Sequence, residues 1–204
     1  MRPRWLAVII GVTFALILFS SAPNQVLAAE SPKERVQNVM TRILDVIKDE
    51  SLSAGSKKTL MREITLTLLD VEETAKRALG RHWSALTMEQ RREFTRLFTD
   101  VLERSYLNQV SELQSFNIGN ARVEEGRVEV DVQVTAKKHE LKTTLVLHEK
   151  AGEWKVYDVR VEGVGLVNNY RTQFNKILAA DYSFAYLLQR IQENVDVAQG
   201  KEKK

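Results

Sequence analysis

The side chains able to do covalent or acid–base chemistry in this 204-residue chain are few and scattered. Cysteine is absent, so there is no thiol nucleophile, no thiolate metal ligand and no disulfide. The three histidines, His82, His139 and His148, stand far apart without metal-ligand spacing. No HExxH, phosphate-binding glycine loop or Gly-x-Ser-x-Gly elbow occurs. Asp158 is the one carboxylate in an unusual place, interrupting the otherwise apolar ending Trp154-Lys155-Val156-Tyr157-Asp158-Val159. A carboxylate there must be paired or wet. It reads as structural, holding a loop or pairing with a residue such as Arg171. General-base catalysis is the sharper alternative, but no convincing second catalytic group accompanies it.

Composition narrows the classes further. Arg2 and Arg4 precede an apolar run from Leu6 to Phe19, and small residues follow at Val26-Leu27-Ala28-Ala29. This order predicts a secretory signal peptide over 1–28, because the run is shorter than the roughly 18 to 20 apolar residues of a spanning helix. The expected location is the periplasm. A lipoprotein anchor would need a cysteine. The 30 basic residues, less Arg2 and Arg4, against 27 acidic ones leave about +1, too little for a nucleic-acid surface. With no disulfide available, a single domain over 29–198 must rest on its own core, followed by a polar tail over 199–204.

The elements that would position any site divide the chain into a helical part, about 31–110, a sheet, about 116–162, and C-terminal helices, about 164–197. Ser31-Pro32-Lys33-Glu34 is an N-cap, a proline and a capping-box glutamate; Val36, Val39, Met40, Ile43, Val46 and Ile47 follow at helical spacing. A second helix runs through Leu60, Ile64, Leu66 and Leu69, and a third from about Val71 closes at Leu79-Gly80. Thr87-Met88-Glu89-Gln90 caps a fourth, whose stripe is Phe94, Leu97, Phe98, Val101, Leu102 and Tyr106. From Phe116 the period changes to two. Val128, Val130, Val132 and Val134 alternate with polar residues, as do Leu141, Thr143, Leu145 and Leu147, and Trp154 to Val161 forms a further strand. Glu125-Gly126, Lys137-Lys138-His139 and Ala151-Gly152-Glu153 supply the hairpin connections. The expected fold is α+β: helices packed on a twisted, mainly antiparallel four-stranded sheet with one face buried. Apolar residues converge from both halves, and periodicity alone reads them as a core.

Two stretches carry a more specific signal. Leu79-Gly80-Arg81-His82-Trp83, with Thr87 to Phe94 and onward, resembles the LG-R-x-W, T-x-E-Q, F-x-x-x-F-x-x-x-L pattern of the MlaC family, also called toluene-tolerance auxiliary proteins. Trp154-Lys155-Val156-Tyr157-Asp158-Val159-Arg160-Val161-Glu162-Gly163-Val164, continuing to Asn169-Tyr170-Arg171-Thr172-Gln173-Phe174, is similar to the family's W-K-V-x-D-V-x-x-E-G-V-S-L-x-x-x-Y-R-x-x-F signature. Gly165 departs from it, standing where the family usually has serine.

The resemblance implies a periplasmic carrier, not an enzyme and with no cofactor. Its cargo would be phospholipid, moved between an outer-membrane lipoprotein complex and an inner-membrane ABC transporter with its substrate-binding-domain subunit. It further implies an apolar pocket between sheet and helices, with the headgroup near solvent. The residues expected on that pocket are Phe94, Phe98, Leu102, Val130, Val132, Leu145, Leu147, Val156, Val164, Leu166, Val167, Tyr170 and Phe174, subject to which strand face looks inward. Arg81, Asp158, Arg171 and Lys137-Lys138 are candidates for a headgroup or a polar structural contact, while Trp83 and Trp154 are assigned to packing. Three alternatives stay open: a carrier of hopanoid or another hydrophobic molecule, a small isomerase or hydrolase using Asp158, and a periplasmic chaperone whose groove takes polypeptide.

Overall fold

The computed structural model describes residues 30–136, 139–179 and 183–198. The expected signal segment, Lys137-Lys138 and the polar tail lie outside these residues. Among the described residues there are six α-helices and five strands in the order α1 (Pro32–Lys48), α2 (Ala54–Leu68), α3 (Val71–Leu79), α4 (Met88–Val110), β1 (Leu113–Glu124), β2 (Arg127–Ala136), β3 (His139–Lys150), β4 (Glu153–Val161), β5 (Val164–Gly165), α5 (Leu166–Ala179) and α6 (Phe184–Ala198). A 3₁₀ turn, Gly80–Ala85, joins α3 to α4. No helix among the described residues is long and apolar enough to cross a membrane.

Local chemistry fixes the helix starts. Ser31 Oγ accepts from Glu34 N while Glu34 Oε2 accepts from Ser31 N, with Pro32 at the first turn. Thr87 and Gln90 repeat the same reciprocal bonds at α4, and Ser53 and Asp70 cap α2 and α3. Gly80 ends α3 at a φ of 55°.

The sheet is an antiparallel meander in sequence order β1-β2-β3-β4-β5. Glu125-Gly126, Ala151-Gly152 and Glu162-Gly163 each place two consecutive residues at positive φ in a two-residue turn, the geometry that matches strand twist. The third of these turns accounts for the departure from four strands. It folds Val164–Gly165 back onto Arg160 and Val161 as a short fifth strand. The rest of the β4 edge is covered by the link before α3, where Asp70 N donates to Val156 O.

Register puts Val128, Val130, Val132 and Val134 opposite Leu147, Leu145, Thr143 and Leu141 on one face. A shift between Val146 and Leu147 leaves Tyr157 as the extra residue of a bulge, so Val156 lies across from Leu147 while Val159 lies across from Leu145. The valine–leucine face packs on α1 and α2 in one hydrophobic cluster with Val36, Val39, Ile43, Met61, Ile64 and Leu68. A second cluster joins α3, α4, α5 and α6 around Phe94, Leu97, Phe98, Phe174 and Leu187. The opposite face of the sheet is ionic, with buried Glu129 held by Arg160 at 2.8 Å.

Candidate functional site

Between the two clusters the valine–leucine face does not close completely on its helices. A cavity of about 240 Å³ remains. That exceeds the roughly 150 Å³ at which an apolar protein cavity stays dry and takes up small hydrocarbons. The sheet contributes Val132, Val134, Leu141, Thr143, Leu145, Val159 and Val161 to its walls; α1 adds Val39, Met40 and Ile43, and α2 adds Arg62, Thr65, Leu66 and Leu68. Thr99, Leu102, Glu103 and Val110 come from α4, and Leu166 opens α5. Helical and strand periodicity make this possible, because each element presents only its apolar stripe to one volume. The walls are mainly aliphatic, and Tyr157 is the sole aromatic residue among the described lining.

Of the residues expected on the pocket, Leu102, Val132, Leu145, Val156 and Leu166 line the cavity, and Asp158 lies on its wall. Val130 and Leu147 share that sheet face but are wholly buried against α1 and α2, beyond the cavity. Phe94, Phe98, Tyr170 and Phe174 stand elsewhere, interlocked with one another in the helical cluster. Val167 is buried and Val164 is exposed, and neither touches the cavity. The α1 and α2 residues were not expected there. Their signal was the helical spacing itself, which shows an apolar face without showing what the face meets.

The polar candidates have structural partners. Asp158 Oδ1 accepts from the backbone amides of Val159 and Val167, each at 2.9 Å, and so holds the start of α5 against β4. Burial pushes its carboxyl above the usual range, against the pull of those two amides and of Arg160 and Arg171. Arg171 is not its hydrogen-bond partner; Arg171 Nε donates to Arg77 O at the end of α3. Arg81 is exposed and reaches His82, whose Nε2 lies 3.0 Å from Asn175 Oδ1. Trp83 is buried, with Arg91 over its ring and Arg91 Nε donating to its carbonyl. Trp154 packs against the sheet–α1 cluster.

Nothing in the residues around Asp70 marks it as a buried carboxylate, yet it is 5 % exposed. It caps α3 through Glu73 N and meets Lys150 Nζ at 2.8 Å and His148 Nε2 at 3.0 Å. Burial alone would raise its pKa, but Lys150, the Glu73 amide and His148 outweigh burial and hold it below the usual range. On the cavity edge, Arg62 Nε lies 2.7 Å from Glu103 Oε1, linking α2 to α4. This contact raises the Arg62 pKa despite some loss of hydration.

An α+β domain that keeps an aliphatic cavity between one sheet face and its helices, and whose polar groups serve mainly to hold its elements together, has the form of a hydrophobic-ligand binding domain. Residues 37–193 match the family described as MlaC protein, and the chain belongs to that family. It is 26% identical over 168 residues to the toluene tolerance protein ttg2D of Pseudomonas putida, covering 78% of each chain. To the intermembrane phospholipid transport system binding protein MlaC of Haemophilus influenzae it is 21% identical, covering 81% of each. Its fold superposes on a Ralstonia solanacearum phospholipid-binding protein, solved in complex with a phospholipid, with a TM-score of 0.73. That match has 20% identity and covers 82% of this chain and 98% of the other.

Proposed function

We propose that this protein is a soluble periplasmic phospholipid carrier, exported by its N-terminal segment. It would pass lipid between an outer-membrane lipoprotein complex and the substrate-binding-domain subunit of an inner-membrane ABC transporter. The observation that carries this reading is the aliphatic cavity on the sheet face. Burying a methylene is worth about 0.8 kcal/mol, so two chains of about 15 methylenes cost on the order of 24 kcal/mol to expose to water. An unassisted lipid therefore does not cross an aqueous gap. A carrier whose cavity matches the bilayer to within a few kcal/mol lets lipid pass in either direction, and its partners set which.

Membership of the MlaC family and the phospholipid-related names of its relatives support the choice of cargo. The test is to purify the protein without detergent, extract it with organic solvent and identify the extract by mass spectrometry, alongside uptake from labelled vesicles. Co-purified phospholipid and saturable uptake are expected. Absence of both, from folded protein, overturns the reading.

A second reading, an isomerase or hydrolase with Asp158 as base, draws on the raised pKa and wall position of that carboxyl. Its Oδ1 is already engaged by two amides. An Asp158→Asn variant that kept its fold but lost a turnover seen in the parent would favour the enzyme.

A further inference from the structure

The cavity wall has one concentrated polar edge, and it lies between α2 and α4. Arg62 and Thr65 are three residues apart on α2, and Thr99 and Glu103 four apart on α4, so each pair shares a helix face. All four line the cavity, and the 2.7 Å contact from Arg62 to Glu103 brings the two faces together. Thr99 already donates its hydroxyl to Thr95 O.

One atom of this edge is left over: Thr65 Oγ1 is buried without a hydrogen-bond partner, whereas Glu103 Oε1 is ion-paired with Arg62 Nε at 2.7 Å. A buried polar atom without a partner calls for one. At a cavity edge, a ligand's polar end can supply it.

The pair also has a definite chemistry. Arginine carries five donors in a planar fork that matches phosphate oxygens, and one of the five points at Glu103. The Arg62 side chain is 45% exposed, so the fork reaches the rim of the cavity. Thr65 adds a hydroxyl donor beside it. Glu103 adds the opposite charge, which attracts an ammonium and repels a second anion.

The geometry points to a headgroup site at this edge, resting on the phospholipid reading above: Arg62 and Thr65 take the lipid phosphate and Glu103 takes a cationic amine. The site thereby selects zwitterionic over anionic phospholipid. The arginines expected from sequence do not compete for this role, since Arg81 and Arg171 are absent from the cavity lining.

The experiment uses the full chain and vesicles carrying labelled phosphatidylethanolamine or labelled phosphatidylglycerol, with lipid bound per folded protein as the readout. The parent is expected to prefer the zwitterionic lipid. Arg62→Gln should lower uptake of both lipids about tenfold, the worth of a charge-assisted hydrogen bond, and Arg62→Lys should restore part of it. Glu103→Gln should lower uptake of the zwitterionic lipid and bring the ratio of the two lipids close to one. Because that ratio is taken within one protein sample, it stands even where a variant is less stable. The inference is overturned if the parent loads lipid while Arg62→Gln leaves uptake unchanged and Glu103→Gln leaves the ratio unchanged. A parent that loads neither lipid overturns the carrier reading itself.

Discussion

The two hydrophobic regions of this molecule are built from different residues, and the difference separates what holds the fold from what leaves room in it. In the helical cluster, Phe94, Phe98, Tyr170 and Phe174 meet at centroid distances of 4.9 to 5.6 Å, mostly edge to face. Rings in these arrangements fill space and fix one another's rotation. On the sheet side the corresponding positions are Val, Leu, Ile and Thr, and a cavity persists among them. Branched aliphatic chains of modest size, set on a pleated surface and a helix that cross at an angle, cannot meet everywhere. Leu102 and Leu166 belong to both regions, so α4 and α5 are the struts that brace the cavity on the packed side.

Truncating each region should separate the two roles. Phe94→Ala removes a wholly buried ring from three aromatic neighbours, Phe98, Phe174 and Phe184, and should cost about 3–5 kcal/mol in urea unfolding. Lipid bound per folded molecule should hold. If loading disappears while stability holds, the aromatic cluster is part of the site and the division fails. Leu145→Trp, which drives a larger side chain into the cavity, should show the reverse pattern. It should cost about 1–3 kcal/mol from overpacking and remove most of the bound lipid. An unchanged lipid content would mean that ligand does not occupy this volume.

The same comparison shows what sequence could and could not convey. Capping boxes at Ser31 and Thr87 and the Xaa-Gly turns at Glu125-Gly126 and Ala151-Gly152 are local chemistry, and the elements fall where they indicate. The fifth strand was missed because two residues carry no period, although Glu162-Gly163 repeats the turn signal used elsewhere. Alternation along β2 and β3 marks an apolar face on each strand but not whether it looks inward; in the structure Val132, Val134, Leu141 and Leu145 of that face line the cavity. On β4 the bulge at Tyr157 moves the inward positions from Val156 to Val159 and Val161, a change of parity written in the spacing of the valines. Helical stripes were harder to assign. Phe94 and Phe98 are as apolar as Met40 and Ile43, and periodicity shows that each has a buried face without showing whether a partner fills it. Cavities are a property of how elements meet, which is non-local. Asp70 escaped notice because its partners, His148 and Lys150, come from a strand about 80 residues away.

Buried Asp70 and half-buried Asp158 divide along the same line, and pH should expose the division. Asp70, held below its usual range by Lys150, the Glu73 amide and His148, contributes stability that is fully present above its unfolded value of about 3.9. This contribution disappears as pH falls through the lower folded value. Asp70→Ala should therefore cost about 2 kcal/mol at neutral pH, and the gap to the parent should narrow only in strong acid. Asp158 has the opposite sign. Its folded pKa is raised by burial, so between the folded and unfolded values the native state binds the extra proton and gains stability as pH falls. Asp158→Asn, whose amide oxygen can still accept from Val159 and Val167, should compare best with the parent at neutral pH and lose ground on acidification. Urea titrations from pH 7 to pH 4 decide it. Curves that stay parallel for Asp158→Asn would show that its ionisation is not coupled to folding.

The smallest effect concerns Gly165, beside Asp158. A Cβ at this position would sit 3.2 Å from Asp158 Oδ2 and 3.5 Å from Arg160 Cγ, tighter than ordinary contact but without backbone strain, since φ is not positive. The bonds from Val159 and Val167 both go to Oδ1, so a hydroxyl at 165 has Oδ2 within reach as an acceptor. Gly165→Ser should therefore stay within about 0.5 kcal/mol of the parent, while Gly165→Ala, which crowds the same oxygen with a methyl group, should fall about 1 kcal/mol below the serine variant. A donated hydroxyl bond also favours the ionised carboxylate. The serine variant should then show a weaker gain in stability on acidification than the parent does. Equal behaviour of serine and alanine would mean that the hydroxyl finds no partner at Asp158, and that glycine and serine differ here only in volume.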